Sequence, residues 1–335
     1  MLSQEENRLN LFCFRLLAHL NVIPLEFSKT DFRCGSTCRK TLWILFLCVQ
    51  LCHILFSVWL MIRKTIEYGS ECIPTLTVDY ILIVPPGVAI FTAVQNFLVW
   101  PEMATALLSN LSPDPDLLIY QVRNGPLPMG YTYLELYTML LACALYPAAT
   151  VVIAIYACVY TLPLTTGLHF IPRLALVLLE GGLMLSWISW FHFMVVTQNT
   201  FMEKFCLVLS KQRYKVRTVE QNNAIVFETI RGAISAVKEL QVETNAFNCS
   251  QCYAVFGSKL VQMGAVVFCG FAVIQFFYED HVFGLGNILV VINASLGYTF
   301  CFERGFTVPR AIVRLRNFLE LRLRSLQSVP TLQKN

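Results

Sequence analysis

Long apolar runs, bounded by charged residues, dominate the pattern of this chain. The segment 41–62 contains no Asp, Glu, Lys or Arg, and 80–101 is equally free of charge. About 20 apolar residues in a helix cross the hydrocarbon layer of a bilayer. The pattern therefore predicts membrane-spanning helices. We count six spans, at 41–62, 80–101, 136–160, 174–197, 260–278 and 282–302.

The composition agrees with a membrane protein. Of the 335 residues 56% are hydrophobic and only 14% are charged, and the mean hydropathy is +0.60. Soluble domains carry about 25% charged residues. We predict an all-α, polytopic transmembrane bundle at 41–302, preceded by a cytoplasmic arm, 1–40, and followed by a basic tail, 303–335.

The distribution of Lys and Arg predicts the orientation. With the N-terminus in the cytoplasm, 22 of the 25 basic residues fall on cytoplasmic segments, and Arg63, Lys64 and Arg173 fall in external loops. Basic residues in short loops favour the cytoplasmic side. We therefore expect both ends of this multi-pass protein in the cytoplasm, and we expect the plasma membrane as its location.

The arm contains an amphipathic pattern at 9–25, which predicts a cytoplasmic or interfacial amphipathic helix. A second pattern lies in 203–259, where apolar residues recur at steps of three or four along one helix face. That stripe consists of Phe227, Ile230, Ile234, Val237 and Leu240. A cytoplasmic stripe is buried either within its own chain or between subunits. Both alternatives stay open, and we assign these residues to oligomerisation.

The tail carries a further helical pattern, rich in arginine. Ile312, Leu315 and Leu319 lie on one face, with arginines distributed around them. A basic helix beside a membrane attracts anionic lipid. Its apolar face equally suits packing against the extension at 203–259, so both alternatives stay open here as well.

Polar residues inside the predicted spans are the candidate ligand-binding residues. Gln95 and Asn96 lie in span two, Glu180 in span four and Gln275 in span five. Such groups are costly in lipid and face the bundle interior or a water-filled cavity. We predict that they bind a small organic ligand in the outer half of the bundle.

Span two also contains the pair Pro85 and Pro86. Proline inside a helix removes a backbone hydrogen bond and clashes with the preceding turn. Neighbouring groups satisfy the freed carbonyls in membrane helices. We therefore predict a kink there, which lines a cavity or merely fits the packing.

The sequence contains no phosphate loop, zinc motif, nucleophile elbow or dinucleotide pattern, and its five histidines are scattered. Cys249 and Cys252 have the spacing of a metal or redox pair, but no second ligand pair accompanies them. We predict no enzymatic activity, no metal, no cofactor and no nucleic-acid partner. The expected partners are the lipid bilayer, a small organic ligand and other subunits.

Two stretches resemble the insect chemoreceptor superfamily, which comprises the arthropod gustatory and odorant receptors. The arm ends in LAHLNVIPL, similar to the leucine-rich segment that closes with Pro-Leu before span one in that family. The stretch VKELQVETNAFNCSQCYAVFGSKLV, from Val237, resembles the family's approach to span five, with Asn245 and Phe247 at matching positions.

The resemblance implies a subunit of a ligand-gated cation channel. Such channels are homo- or hetero-tetramers that assemble through cytoplasmic extensions of spans four to six. The resemblance also implies a seventh, pore-lining span with Thr-Tyr and Gln-Phe signatures. This chain ends in SVPTLQKN without that span, so we expect either a divergent receptor-like member or an incomplete gene product, and no ion conduction by the chain alone. A membrane transporter or scaffold is the alternative function.

Overall fold

The computed structural model of the chain describes residues 4–28, 31–69, 73–109, 170–219, 223–278 and 281–327. Nearly all of these residues are helical, which confirms the predicted helical class. Predicted span three, 136–160, lies outside the described residues.

Seven α-helices and one π-helical segment occur in this part of the chain. They are α1 Gln4–His19, α2 Thr37–Tyr68, α3 Ile73–Val94, the π segment Gln95–Val99, α4 Pro101–Ser109, α5 Phe170–Thr218, α6 Asn223–Phe276 and α7 His281–Gln327. The last three contain 49, 54 and 47 residues, more than twice the about 20 that a bilayer requires. Each of them is therefore longer than one membrane crossing requires.

A short β-hairpin follows α1 in the arm, where the predicted all-α class anticipates no strand. Its strands, β1 Leu25–Ser28 and β2 Asp31–Cys34, pair antiparallel. The hairpin leads the chain into α2, and the Ser36 amide donates a hydrogen bond of 2.9 Å to the Glu26 carboxylate. This bond holds the pKa of Glu26 below its ordinary value. Four-residue strands are too short to show a clear alternation in sequence.

Among the described residues, two helices are long and apolar enough to cross a membrane, namely α2 and the segment Ala224–Gln275 of α6. A third span exists if Ile83–Val99 and Pro101–Ser109, which meet at 95°, form one bent crossing. Only 17% of the apolar window of α2 is buried within the chain. An outward apolar surface of this kind fits contact with lipid. The count of six spans stays a prediction.

The extension predicted at 203–259 is not one helix. α5 continues through its first part to Thr218, and α6 begins at Asn223. The sequence between them, VEQN, contains Asn222, a residue type that favours turns because its side chain bonds to nearby backbone. α6 packs antiparallel against α5, since Phe201 contacts Phe247 and Val216 packs with Val226.

α3 is helical through Pro85 and Pro86, and the kink predicted there stays a prediction. A separate sharp bend of 95° lies at Trp100, where the π segment ends, and Pro101 begins α4. Proline is well suited to a first helical position because its missing N–H has no partner there in any case.

The arm packs into the largest apolar core of the described residues, named here the arm core. It contributes Phe14, Leu17, Ala18, Val22, Ile23, Leu25 and Phe32. These residues meet Trp43 and Leu47 of α2 together with apolar residues of α3, α4 and α5. One apolar face of α1 is therefore buried within the chain, whereas Phe12 and Leu16 are 61% and 48% exposed, so the predicted cytoplasmic or interfacial location of this helix stays a prediction.

Beyond the arm core, α5, α6 and α7 form a three-helix unit, named here the distal bundle, from residues 201–218, 223–247 and 308–327. One of its cores contains Phe201, Phe205, Leu209, Leu240, Phe247 and Leu315. The other contains Val216, Val226, Ile230 and Ala233, against which Phe318, Leu319 and Leu323 pack. The arginine-rich tail thus packs against the helix before span five, one of the two alternatives left open by the sequence.

α3 and α6 approach each other closely at two glycines. A Cβ atom at Gly257 would lie 2.9 Å from Cγ1 of Val88, and one at Gly264 would overlap the ring and hydroxyl of Tyr80. That hydroxyl donates a hydrogen bond of 3.0 Å to the carbonyl of Val261. Glycine is needed at both positions because any side chain would push the two helices apart.

Candidate functional site

A buried polar layer crosses the bundle where α3 passes into the π segment. Its members, all at most 7% exposed, are Gln95, Asn96, Gln198, Asn199, Ser250 and Gln251. Four of the six are on segments that the sequence pattern places outside the membrane. Buried polar groups need hydrogen-bond partners, because each group without one lowers the stability of the folded chain. We treat this layer as the candidate site.

A chain of hydrogen bonds connects α3 to α6 in this layer. Asn96 Nδ2 donates to the carbonyl of Thr92 at 2.8 Å, so Asn96 Oδ1 is left as the acceptor for Gln251 Nε2. Beside them, Gln95 Nε2 donates to the carbonyl of Cys249 at 3.3 Å. These donors fix the amide orientations, and they leave the Oε1 atoms of Gln95 and Gln251 without a protein partner in the described structure.

α5 supplies the other side of the layer. Its contacts with α6 pair Phe201 with Phe247 and bring Met194 close to Ala254. In antiparallel helices these two contacts put Gln198 level with Ser250. Both side-chain amide atoms of the neighbouring Asn199 are buried without a hydrogen-bond partner in the described structure. Free acceptors and a free donor therefore occur at one level of the bundle, which suits a bound polar group or ordered water.

The arm closes one end of this site. His192 of α5 is fully buried, and its Nε2 lies 3.0 Å from Asn10 Oδ1 of α1. Phe14 stacks on the same imidazole ring at 5.3 Å between centroids. The arm is therefore held by a polar contact and a ring contact on one residue of α5.

A single carbonyl in the arm accepts two indole hydrogen bonds. Trp43 Nε1 of α2 donates to Val22 O at 3.0 Å, and Trp190 Nε1 of α5 donates to the same oxygen at 3.1 Å. Close by, Arg39 Nη1 donates to the carbonyls of Ala18 and Leu25. A cavity of about 230 Å³ next to Arg39 is lined by Ala18, His19, Glu26 and Phe27.

The four predicted ligand-binding residues do not form one site. Gln95 and Asn96 lie side by side in the polar layer, as predicted for residues facing the interior. Glu180 lies in α5 about 18 residues from the layer, roughly 27 Å at the rise of an α-helix. Gln275 is exposed near the end of α6, about 36 Å from Gln251 by the same measure.

The sequence pattern misses Gln251 and Asn199 because both fall beyond the predicted ends of their spans. The spacing of Gln251 and Asn199 relative to other polar residues on their helices is the sequence signal that could have identified them. Asn199 continues a row of small polar residues along α5, and Gln251 is followed at helical spacing by Ser258 and Gln262, both at most 5% exposed. Such rows of buried polar residues predict a helix interface that extends past the apolar run.

A metal site finds no support in the part of the chain that the structure describes, where no three His, Cys, Asp or Glu side chains cluster. Cys249 and Cys252 are exposed free thiols on a continuous helix.

No protein-family model and no curated protein matches the chain. The resemblance to insect chemoreceptors therefore rests on the residues quoted above.

Proposed function

We propose that this chain is a chemoreceptor-like, multi-pass protein of the plasma membrane that responds to a small organic ligand bound among its spans. The observation that carries the proposal is the continuity of α5, α6 and α7. All three run without a break from the polar layer into the distal bundle. A ligand that shifts these helices in the membrane thereby changes the packing of the distal bundle.

In this proposal Gln95 and Asn96 act through the polar layer. They link α3 to α6 by side-chain hydrogen bonds, and Gln251 leaves an acceptor free. A ligand that carries a hydroxyl or an amine donates to such acceptors. Glu180, closer to the outer end of its span, and Gln275 belong to separate parts of the bundle and do not share this ligand.

The second candidate function is a membrane scaffold. The distal bundle favours it, because its three helices bury apolar residues against one another and leave Phe227, Val313 and Leu321 exposed for contact with a partner. A scaffold requires no change of conformation when a ligand binds, whereas a receptor does. A transporter would in addition move solute across the membrane.

The experiment uses intrinsic tryptophan fluorescence of the full chain in lipid nanodiscs. Three of the five tryptophans, Trp43, Trp187 and Trp190, lie in the arm core beside the polar layer. A panel of small uncharged organic compounds is titrated, and we expect saturable fluorescence changes with a few of them. Melting temperatures should rise with the same compounds, because a ligand that binds the folded state stabilises it.

Matched variants locate the response. Trp59 is 51% exposed on α2, so Trp59→Phe should keep the response, whereas Trp190→Phe should lose most of it. No saturable change with any compound would contradict the receptor proposal and favour the scaffold. Solute uptake into proteoliposomes without a ligand response would favour the transporter.

The orientation is tested separately. Epitope tags at either end of the chain should stain only after cells are permeabilised. Surface staining of either tag on intact cells would overturn the proposed topology.

A further inference from the structure

One face of α7 in the distal bundle combines arginines with exposed apolar side chains. It consists of Arg310, Val313, Arg314, Leu321 and Arg324, named here the Arg–Leu face. All five are exposed, Val313 by 54% and Leu321 by 66%. Steps of three and four residues place them on one side of the helix, because such steps return to the same face.

The opposite side of α7 packs within the chain. Leu315 is 3% exposed in one core of the distal bundle, and Leu323 packs on the other. The Arg–Leu face is therefore the outward side of a helix whose position is fixed. A rigid, straight surface of about 21 Å results, because fourteen residues separate Arg310 from Arg324.

The charges on this face are not neutralised by the side chains that the structure describes. Arg316, to one side, pairs with Glu320 at 2.8 Å, and on α6 Arg231 pairs with Glu228 at 3.9 Å. No described carboxylate lies within ion-pair distance of Arg310, Arg314 or Arg324. Three free guanidinium groups and two exposed apolar residues thus form one strip.

The bilayer is too far away to cover the far half of this strip. The predicted sixth span ends at residue 302, so Arg310 lies about 12 Å and Leu321 about 28 Å beyond it along the helix. Electrostatic attraction decays within about 8 Å at physiological salt. The packing of α7 along α5 and α6 keeps it from folding back onto the membrane. Nucleic acid fits poorly too, because the strip presents Val313 and Leu321 and has no aromatic residue for stacking.

We infer that the Arg–Leu face docks an acidic amphipathic helix of a cytoplasmic protein. Carboxylates at helical spacing would pair with the three arginines, and apolar residues between them would cover Val313 and Leu321. Amphipathic helices bind through anchors at such spacing, and complementary charge sets their register. The inference rests on the proposed orientation, which places α7 beyond the span in the cytoplasm.

The test uses the full chain in nanodiscs of phosphatidylcholine, which carries no net charge. The probe is a fluorescent synthetic helix with Glu and Leu at matching three- and four-residue steps, and a scrambled peptide of the same composition is its control. We expect saturable binding of the patterned peptide only, weakened by added salt. Equal binding of both peptides, or of neither, would overturn the inference.

Variants assign the binding to this face. Arg314→Gln with Arg324→Gln should weaken binding about fivefold to tenfold, because each exposed ion pair contributes a small amount. Val313→Ser with Leu321→Ser should also weaken it. The matched control, Arg231→Gln with Lys238→Gln on α6, removes the same charge and should leave binding within about twofold. Equal losses in the control and the α7 variants would overturn the inference.

Two further probes distinguish other partners. Vesicles containing phosphatidylserine and a short RNA are titrated against the unmodified chain and the Arg314→Gln/Arg324→Gln variant. Arginine-dependent binding of either, without binding of the patterned peptide, would overturn the inference in favour of lipid or RNA. A surface-stained C-terminal tag would defeat the proposed orientation, whereas an internal tag without peptide binding would defeat only the docking inference.

Discussion

Phe201 of α5 and Phe247 of α6 stack face to face, with ring centroids 4.2 Å apart and an angle of 4° between the ring planes. Both side chains are buried, at 4% and 3% exposure. The pair lies next to the polar layer and begins the distal bundle. Phe247 is also one of the residues on which the resemblance to chemoreceptors rests, and its structural role in this chain is to join α6 to α5.

Truncation of this ring tests the junction. Phe247→Ala should lower the free energy of unfolding in detergent by about 3–5 kcal/mol, because it removes a buried aromatic ring and leaves a cavity. Denaturant unfolding followed by circular dichroism measures the change. Phe256→Ala on the same helix, at a side chain 59% exposed, should change stability little. Similar losses in both variants would contradict the assigned packing.

The Asn96–Gln251 hydrogen bond gives a second prediction. Asn96→Ala should destabilise the chain by about 1–3 kcal/mol, because Gln251 Nε2 loses its acceptor in a buried site. Replacing both residues with alanine removes both polar groups and should cost less than the sum of the two single changes. Unfolding of Asn96→Ala, Gln251→Ala and the double variant gives the coupling energy. A coupling near zero would show that the two amides do not interact.

The two indoles on Val22 give a third prediction. Either Trp43→Phe or Trp190→Phe leaves one donor on the carbonyl, so each should cost about 1 kcal/mol. The double variant leaves the carbonyl without an indole donor and should cost more than the sum. Hydrogen exchange of amides in α1 and the following turn should rise mainly in the double variant. If the cost of the double variant equals the sum of the two single costs, the two indoles do not share the Val22 carbonyl as an acceptor that needs at least one of them.

The predicted oligomerisation stripe is divided by the structure, which allows a fourth prediction. Ile230 is 2% exposed and Leu240 4%, whereas Phe227 and Ile234 are 58% and 43% exposed. Phe227→Ser with Ile234→Ser should reduce the oligomer fraction in detergent, with little change in the stability of the subunit.

Ile230→Ser is the matched comparison. It should lower the free energy of unfolding by about 2–4 kcal/mol, because it opens a core cavity and buries a hydroxyl. Light scattering gives the oligomer mass and calorimetry the stability. An unchanged mass in the Phe227/Ile234 variant would show that no subunit seam uses this face.

The sequence predicts the helical class well because apolar runs and helical spacing are local signals. The helix that precedes span five is an example, since its stripe from Phe227 to Leu240 lies on α6 as expected. The partner of an apolar face is not a local property. The face of α1 that contains Phe14 and Leu17 has the pattern of an interfacial helix, yet it packs in the arm core.

The candidate site was accessible to sequence reasoning only in part. Gln95 and Asn96 stand out because they lie inside an apolar run. Gln251 and Asn199 do not, since they lie among ordinary polar residues and only the packing of α3, α5 and α6 buries them. The sequence likewise does not show that Glu180 lies far from Gln95 and Asn96, because their distance depends on how α5 is aligned against α3.

The two glycines at which α3 approaches α6 restrict how the protein moves. Gly257 and Gly264 are seven residues apart, two turns of one helix, and both meet side chains of α3. Sliding α3 past them would drive Val88 or Tyr80 against the backbone of α6. We therefore expect α3 and α6 to move together as one rigid body, and displacements between helices to take place where α5, α7 and the arm meet this pair.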